Sequence, residues 1–376
     1  MGSVNLDNTG SGSAITLSSD GTSLLLDGTA VGGSPTLYAE SLSGATSPTA
    51  TGSNSVAIGS NAQATATNGS IAFGTSTTAS GNSNAAIGFQ CNAAGVGSLA
   101  IGYVANSAAD FSTAIGRNAK TATGTNATAL TQSYASGADS FAAAIANNTS
   151  TYGATGANSV VIGQTSKATD SGSVAIGKSC ISDGGRTVAL GHATTASGFY
   201  SFAVGALSEA KQTGSVCTGI RGRSDVEGKR VHSSSTFSAQ IGNCQTGEVV
   251  LGKETSDATP TQMTSNPGNT PTATNSVTLP NNSAYAFTGT IVARQKASEG
   301  TASAAWKVEG LIRREANAGT TVLVASTVTA LSNAPSWGMA LTADTTNGCL
   351  KIEATGAAST NIRWVATINT SEVLYA

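Results

Sequence analysis

A five-residue pattern, Ser55-Val56-Ala57-Ile58-Gly59, returns along this chain at intervals close to 14 residues. Aligned on the closing glycine, the copies end at Gly59, Gly74, Gly88, Gly102, Gly116, Thr131, Ala146, Gly163, Gly177, Gly191, Gly205 and Gly219. The residue before the glycine is apolar in every copy but the last, which has Thr218. Two before it stands alanine, broken only by Val161 and Cys217. A repeat this short cannot hold two helices, and its small-apolar-small-apolar alternation is the period of a strand. Each copy is therefore read as one coil of a β-solenoid. It holds two short strands and two turns, the turns drawn from segments such as Thr67-Asn68-Gly69. With coils ~4.8 Å apart, the stack reaches on the order of 58 Å. Such a rod offers length and surface rather than a cleft.

The alternation also assigns faces. Val56 and Ile58 point to one side of their strand, and Ser55, Ala57 and Gly59 to the other. A thin line of Val and Ile inside each coil would bury too little apolar area to hold the rod upright alone, so self-association is expected. The column Ala57, Ala72, Ala86, Ala100, Ala114, Ala175, Ala189 and Ala203 is assigned to the contact between chains. Small uncharged side chains suit close approach, whereas a solvated strand face would carry Lys, Thr or Glu.

Composition narrows the function. Only 10% of the 376 residues are charged, the net charge is -2, and glycine fills 45 positions. With 39% hydrophobic content and columnar register, the chain is not read as disordered. The near-neutral balance disfavours nucleic acid. No apolar run near 18 residues and no signal peptide is found, so membrane insertion is not expected. Cys91 and Cys180 share a column but lie roughly 29 Å apart at the strand spacing. That is far beyond the Cα separation of about 7 Å that a disulfide tolerates. All five cysteines, with Cys217, Cys244 and Cys349, are read as reduced thiols in small-residue positions.

Chemistry is sparse. His192 occupies a turn position held elsewhere by Ser60, Thr75, Phe89, Tyr103, Arg117 and Lys178, and His232 has no defined Ser or Cys to pair with. Asp110, Asp139, Asp170, Asp183 and Glu209 place no two carboxylates in one column of successive coils, as a glycosidic pair on adjacent strands would need. No enzyme activity, cofactor or metal site is expected.

Four regions follow. Residues 1–50 carry a hairpin, Ala14 to Leu17 against Thr22 to Leu26 around Asp20-Gly21. Residues 51–220 form the roll, with an insertion around Asn147 to Thr155 that places Tyr152 on a protruding turn. Asn147-Asn148-Thr149 matches a glycosylation acceptor by chance. Residues 221–274 are read as a charged neck and linker. There Arg221, Arg223, Asp225, Glu227 and Lys229 alternate onto one strand face, and Pro260, Pro267 and Pro271 mark a linker or crossover. Residues 275–376 read as a C-terminal antiparallel β-sandwich or jelly roll with a hairpin at Asn347-Gly348. Trp306 and Trp364 fall on its apolar parity. Trp337 is placed in a loop and, with Tyr285, Arg313 and Arg314, is a receptor-contact candidate.

The S-V-A-I-G, N-A-x-A-T and G-x-x-S texture of residues 55–219 resembles the head of YadA-like trimeric adhesins. That resemblance implies a left-handed parallel β-roll and a homotrimer. The flanks, Val4 to Gly10, Ser238-Ala239-Gln240, Val249-Val250-Leu251, Thr278 to Phe287 and Ile362 to Ile368, are similar to tail-fibre proteins of bacteriophages. They imply a virion protein made in the host cytosol and non-enzymatic host adsorption. The N-terminal segment would dock to other tail or baseplate proteins, and the C-terminal domain would meet a host receptor, taken as a glycan. A bacterial trimeric surface adhesin is the first alternative, and a polysaccharide-degrading tailspike the second. An ice-binding solenoid would need threonine in one flat column, and Thr65 to Thr67 and Thr121 to Thr123 recur too irregularly for that.

Overall fold

A computed structural model describes residues 4–6, 15–19, 24–26, 29–30, 46–143, 151–332 and 337–375. It divides into two compact units, residues 1–122 and 123–376. The described secondary structure is strand throughout, apart from a single 3-10 turn at Ala318–Thr320.

In the first unit the expected hairpin is present, with Leu17 opposite Leu26 and Ser19 opposite Leu24; its Asp20-Gly21 turn lies outside the described residues. Val4–Leu6 and Thr29–Ala30 extend it to four antiparallel strands. Beyond it the chain winds as a parallel roll. Long strands Ile71–Thr75, Ala85–Phe89, Leu99–Tyr103 and Thr113–Arg117 stack in exact repeat register, Ala72 beside Ala86, Ala100 and Ala114. Two-residue strands such as Thr78–Ala79, Asn92–Ala93 and Asn106–Ser107 stack in a separate sheet.

Two glycine-type demands set the repeat. The glycine closing each long strand has positive φ, +126° at both Gly74 and Gly88. A Cβ on Gly74 would lie 1.8 Å from the carbonyl oxygen of Gly88, so any side chain would wedge the coils apart.

The inside of the coil reverses the sequence expectation. Ala57 is 5% exposed, and Ala72, Ala86, Ala100 and Ala114 are 0% exposed within a single chain. They face Ala64, Ala79, Ala93, Ser107 and Thr121 of the short strands, all 0% exposed. Two strands joined by tight turns come too close for anything larger than Ala, Ser, Thr or Cys in most coils, so Val and Ile are turned outwards. Ala175, Ala189 and Ala203 in the second unit are likewise fully buried. The alanine column is the core of one chain, not its contact with another.

The second unit continues with coils of the same form, from Thr128–Leu130 to Arg230–Ser233. One copy departs from the expected alignment: Ala142, not Ala144, stands beside Ala129 and Val161. The insertion that follows is thus longer than expected. Residues 144–150, including Asn147-Asn148-Thr149, lie outside the described residues, and Tyr152 is half-buried.

The roll also runs past residue 220. Arg223–Ser224 is the short strand and Arg230–Ser233 the long strand of one further coil. The alternating charges therefore do not share one strand face. Arg221 sits in a left-handed turn, Arg223 pairs with Asp225 at 2.6 Å, and Lys229 is buried.

Arg230–Ser233 then pairs antiparallel with Cys244–Thr255, which starts a five-stranded sheet. Its order is Cys244–Thr255, Ile362–Leu374, Ser283–Gln295, Ser303–Arg314, Val322–Ser332. A second sheet holds Thr261–Gln262, Val277–Thr278, Gly338–Asp344 and Cys349–Thr355. The proline-rich stretch is therefore not a free linker, since Met263 and Thr264 are buried. Between the sheets lies one apolar core with Phe287, Ile291, Trp306, Leu350, Ile352 and Trp364. The Asn347-Gly348 turn is present, capped by Asp344, whose carboxylate accepts the backbone N–H groups of Thr346 (2.8 Å) and Asn347 (3.0 Å).

Candidate functional site

With the small residues inside, every coil shows two unlike flanks. The first and third residues of each long strand point out. In the first unit they are Val56, Ile71, Ala85, Leu99 and Thr113, then Ile58, Phe73, Ile87, Ile101 and Ile115. Phe73 is 51% exposed and Ile71 44%. In the second unit, Val160, Val174, Val188, Phe202 and Val216 run beside Ile162, Ile176, Leu190, Val204 and Thr218. The short-strand flank is mostly polar by contrast, presenting Gln63, Thr78, Asn92, Asn106 and Lys120 in the first unit, and Lys167, Thr195, Glu209 and Arg223 in the second, where Tyr134, Gly153 and Ile181 interrupt the column. An uncovered double column of Val, Ile, Leu and Phe costs solvation over its whole length, whereas the opposite flank is suited to water.

In the second unit this apolar flank runs onto the outer face of the antiparallel sheet through the Arg230–Ser233 pairing. Where the two meet there is a groove of about 800 Å³, lined by Phe202, Val216, Arg230, His232, Glu248 and Asn369. His232 is exposed there and its Nδ1 lies 3.0 Å from the Thr218 hydroxyl. His192 is exposed at the end of the long strand Val188–His192 rather than on a turn.

Behind the groove a buried cluster ties the last coil to the terminal strand. The Lys229 ammonium pairs with the Glu372 carboxylate, which also accepts hydrogen bonds from Gln245 Nε2 (2.7 Å) and the Thr370 hydroxyl. Burial works against the Glu372 charge, but Lys229 and these hydrogen bonds outweigh it and hold the carboxyl below its usual range. Tyr285 lies with its ring 5.2 Å from the Lys229 nitrogen, and burial, reinforced by Glu372, pushes its phenol well above the usual value.

This placement corrects the receptor-contact candidates. Tyr285 is 3% exposed and belongs to that cluster. Trp337 is 8% exposed, its ring centroid 5.8 Å from that of Trp364, so it is core and not a presented loop residue; the preceding Pro335-Ser336 lies outside the described residues. Arg314 is half-buried and donates to the Leu279 carbonyl at 2.7 Å. Only Arg313 is presented to solvent, paired with Glu315 at 3.0 Å.

Exposed aromatic groups stand instead on the edges of the roll. Phe89 and Tyr103 stack at 5.1 Å in the first unit, and Phe111 is 62% exposed. Phe199 and Tyr200 form a second group in the second unit, with Arg186 beside them. The signal was readable in the turns: the position that holds Asn54, Gly69, Gly97, Asn126 and Asn158 holds Phe111, Arg186 and Tyr200 elsewhere.

The cysteines hold small-residue positions as expected. Cys91 and Cys180 point inward and donate to the Gly102 and Gly191 carbonyls, each at 3.1 Å. All five are unpaired, and burial pushes Cys217 up to about 11 and Cys349 up to about 12.

Residues 50–69, 93–119, 154–179 and 182–208 match the family model described as the YadA head domain repeat (2 copies). The roll is therefore similar to the head repeat of YadA-like adhesins, over segments that lie within the coils. No curated protein matches the chain.

Proposed function

We propose that this chain is the subunit of a non-enzymatic, homotrimeric adhesin-like fibre that holds its binding surfaces away from an attachment point. The observation that carries the reading is the segregation of the roll's flanks, an apolar double column on the long strands against a mostly polar column on the short strands. A parallel bundle of three chains buries the first and leaves the second wet. The similarity to YadA head repeats supports both the number of chains and the adhesive role. The groove beside Phe202 and His232 lies on the same flank and would be covered by a neighbouring chain.

Within that class we read the protein as a tail fibre of a bacteriophage, carried on the virion. Its N-terminal strands would dock to tail or baseplate proteins, and the fibre would meet a glycan of the host surface. Three weak sites on each fibre and several fibres on a particle would act together through effective concentration. The motivation is the likeness of the flanking segments to tail-fibre proteins. A bacterial surface adhesin remains the second reading, favoured by the repeat match alone.

Sedimentation equilibrium of the purified chain tests the assembly. The expected mass is three times 36.8 kDa, and a stable monomer would overturn it. Immunogold labelling of virions against the C-terminal sandwich tests the finer reading: label on tail fibres is expected, and label confined to bacterial surfaces would replace it with the second reading.

A further inference from the structure

The turn that leads from each short strand to the next long strand has a residue in the left-handed region at one fixed position, joined in the Arg186 turn by Gly185 (φ 61°). Along the second unit that position is held by Asn126, Asp139, Asn158, Gly172, Arg186, Tyr200, Gly214 and Gly228. Glycine, asparagine and aspartate are the residues that tolerate it. In this unit Arg186 (φ 53°) and Tyr200 (φ 59°) are the exceptions, as Ser83 and Phe111 are in the first, and both stand at exposed sites where packing of a core gives no reason for a large side chain. At these two turns a large exposed side chain stands where a glycine or asparagine would fit the backbone with less strain.

Their surroundings show an ordered group. The Arg186 guanidinium donates to the Tyr200 phenol oxygen at 2.7 Å and lies 5.8 Å and 5.6 Å from the centroids of Phe199 and Tyr200. The Phe199 ring rests on the turn of the preceding coil, where a Cβ on Gly185 would lie 2.9 Å from its Cδ2 and Cε2. Phe199 is 44% exposed and Tyr200 53%. Among the described residues no carboxylate lies within ion-pair distance of Arg186, so its charge is not neutralised by the chain itself. Around the rings the turns carry Ser197, Gln212 and Thr213, which are hydrogen-bonding rather than apolar.

We infer that Arg186, Phe199 and Tyr200 form a binding site for an acidic saccharide. The less polar C–H face of a sugar ring stacks on an aromatic face, whose negative quadrupole attracts those hydrogens. The guanidinium, held in place by the phenol and the two rings, supplies a planar donor set matched to a carboxylate. Coils ~4.8 Å apart place successive turns at about the spacing of successive sugar rings. A protein partner fits less well, because a stable interface needs an apolar patch larger than two rings ringed by serine, threonine and glutamine. The inference rests on the adhesive reading above but not on the identity of the particle that carries the fibre.

The test uses the full-length chain, with its mass checked by sedimentation, on an array holding sialylated, uronic-acid and neutral oligosaccharides. Binding to a subset of the acidic oligosaccharides is expected, with neutral ones of equal length bound at least tenfold more weakly. Tyr200→Gly and Arg186→Gly each place in the turn the residue that Gly172 and Gly214 already supply, so the fold and the mass should persist. Each should lose at least tenfold in affinity, and Arg186→Lys should recover only part of it. The site is overturned if the wild-type chain binds no acidic oligosaccharide, if neutral ones bind as well, or if both glycine variants bind like wild type. It is also overturned if these residues prove to hold only a protein of the cell surface. A changed mass would instead indict the assembly, which separates the two failures.

Discussion

The roll and the C-terminal sandwich are both built of strands, yet they dispose of their large apolar residues in opposite ways. The sandwich places Phe287, Ile291, Trp306 and Trp364 between two sheets. The roll fills its interior mostly with alanine, serine, threonine and cysteine, Val161 and Val231 being exceptions, and sets its other Val, Ile and Phe residues on its outside. The difference comes from spacing. Sheets that pack face to face stand ~10 Å apart and need large side chains to fill the gap. A coil closed by tight turns brings its two strands closer, and only small side chains fit. A sandwich is thus a complete hydrophobic object within one chain, whereas a roll of this kind is half of one.

That contrast can be broken by substitution. The largest effect should come from Ala175→Glu, which forces a charge into a coil interior with neither space nor partner. Loss above ~4 kcal/mol is expected, with collapse of the roll in a circular-dichroism melt. Tolerance of that change would put the alanine column back on the surface.

Next comes Trp364→Ala in the sandwich, where the indole packs against Trp306 and donates to Thr255 at 2.9 Å. A cost of about 3–5 kcal/mol is expected, read as a lower denaturant midpoint of the C-terminal transition.

Glu372→Gln should cost about 3 kcal/mol, since it leaves Lys229 buried without its counter-charge. The pH dependence follows from the lowered carboxyl value. Its stabilisation is present above the ordinary glutamate range near ~4.3 and is lost as pH falls through the lower folded value. Melts between pH 7 and pH 2 should show this acid limb in the wild type and a flatter one in Glu372→Gln. Identical limbs would remove the pair from the account.

The smallest effect on the fold should come from Ile176→Thr on the apolar flank. Within one chain it should change coil stability by about 0.5 kcal/mol or less, because that side chain is already 36% exposed. The same change should weaken self-association, seen as a lower mass at equal concentration. If it melts the isolated coil as Ala175→Glu does, the two flanks are not distinct.

Much of this organisation was legible beforehand. Period, strand content, turn residues, the Asp20-Gly21 hairpin's strands and the Asn347-Gly348 turn all follow from local chemistry that acts over a few residues. Which parity faces inward does not. Val56 and Ala57 alternate identically whichever side is the core, and the choice depends on the distance between two strands that the pattern does not encode. Trp337 was misplaced for a related reason, because flanking Pro335 and Gly338 suggest a loop without telling that its indole turns back onto Trp364. The roll's aromatic edge was missed although Phe111 and Tyr200 break a column of glycine and asparagine, a departure that only becomes meaningful once the left-handed backbone at that position is known.

The central claim, that alanine lies within a chain and isoleucine between chains, is tested most directly by thiol cross-linking of two adjacent positions. Ala175→Cys and Ile176→Cys would each be treated, in the folded assembly, with a short bismaleimide and resolved on a denaturing gel. Covalently linked chains from Ile176→Cys and unreacted single chains from Ala175→Cys are predicted. Linked chains from Ala175→Cys with none from Ile176→Cys would contradict the account.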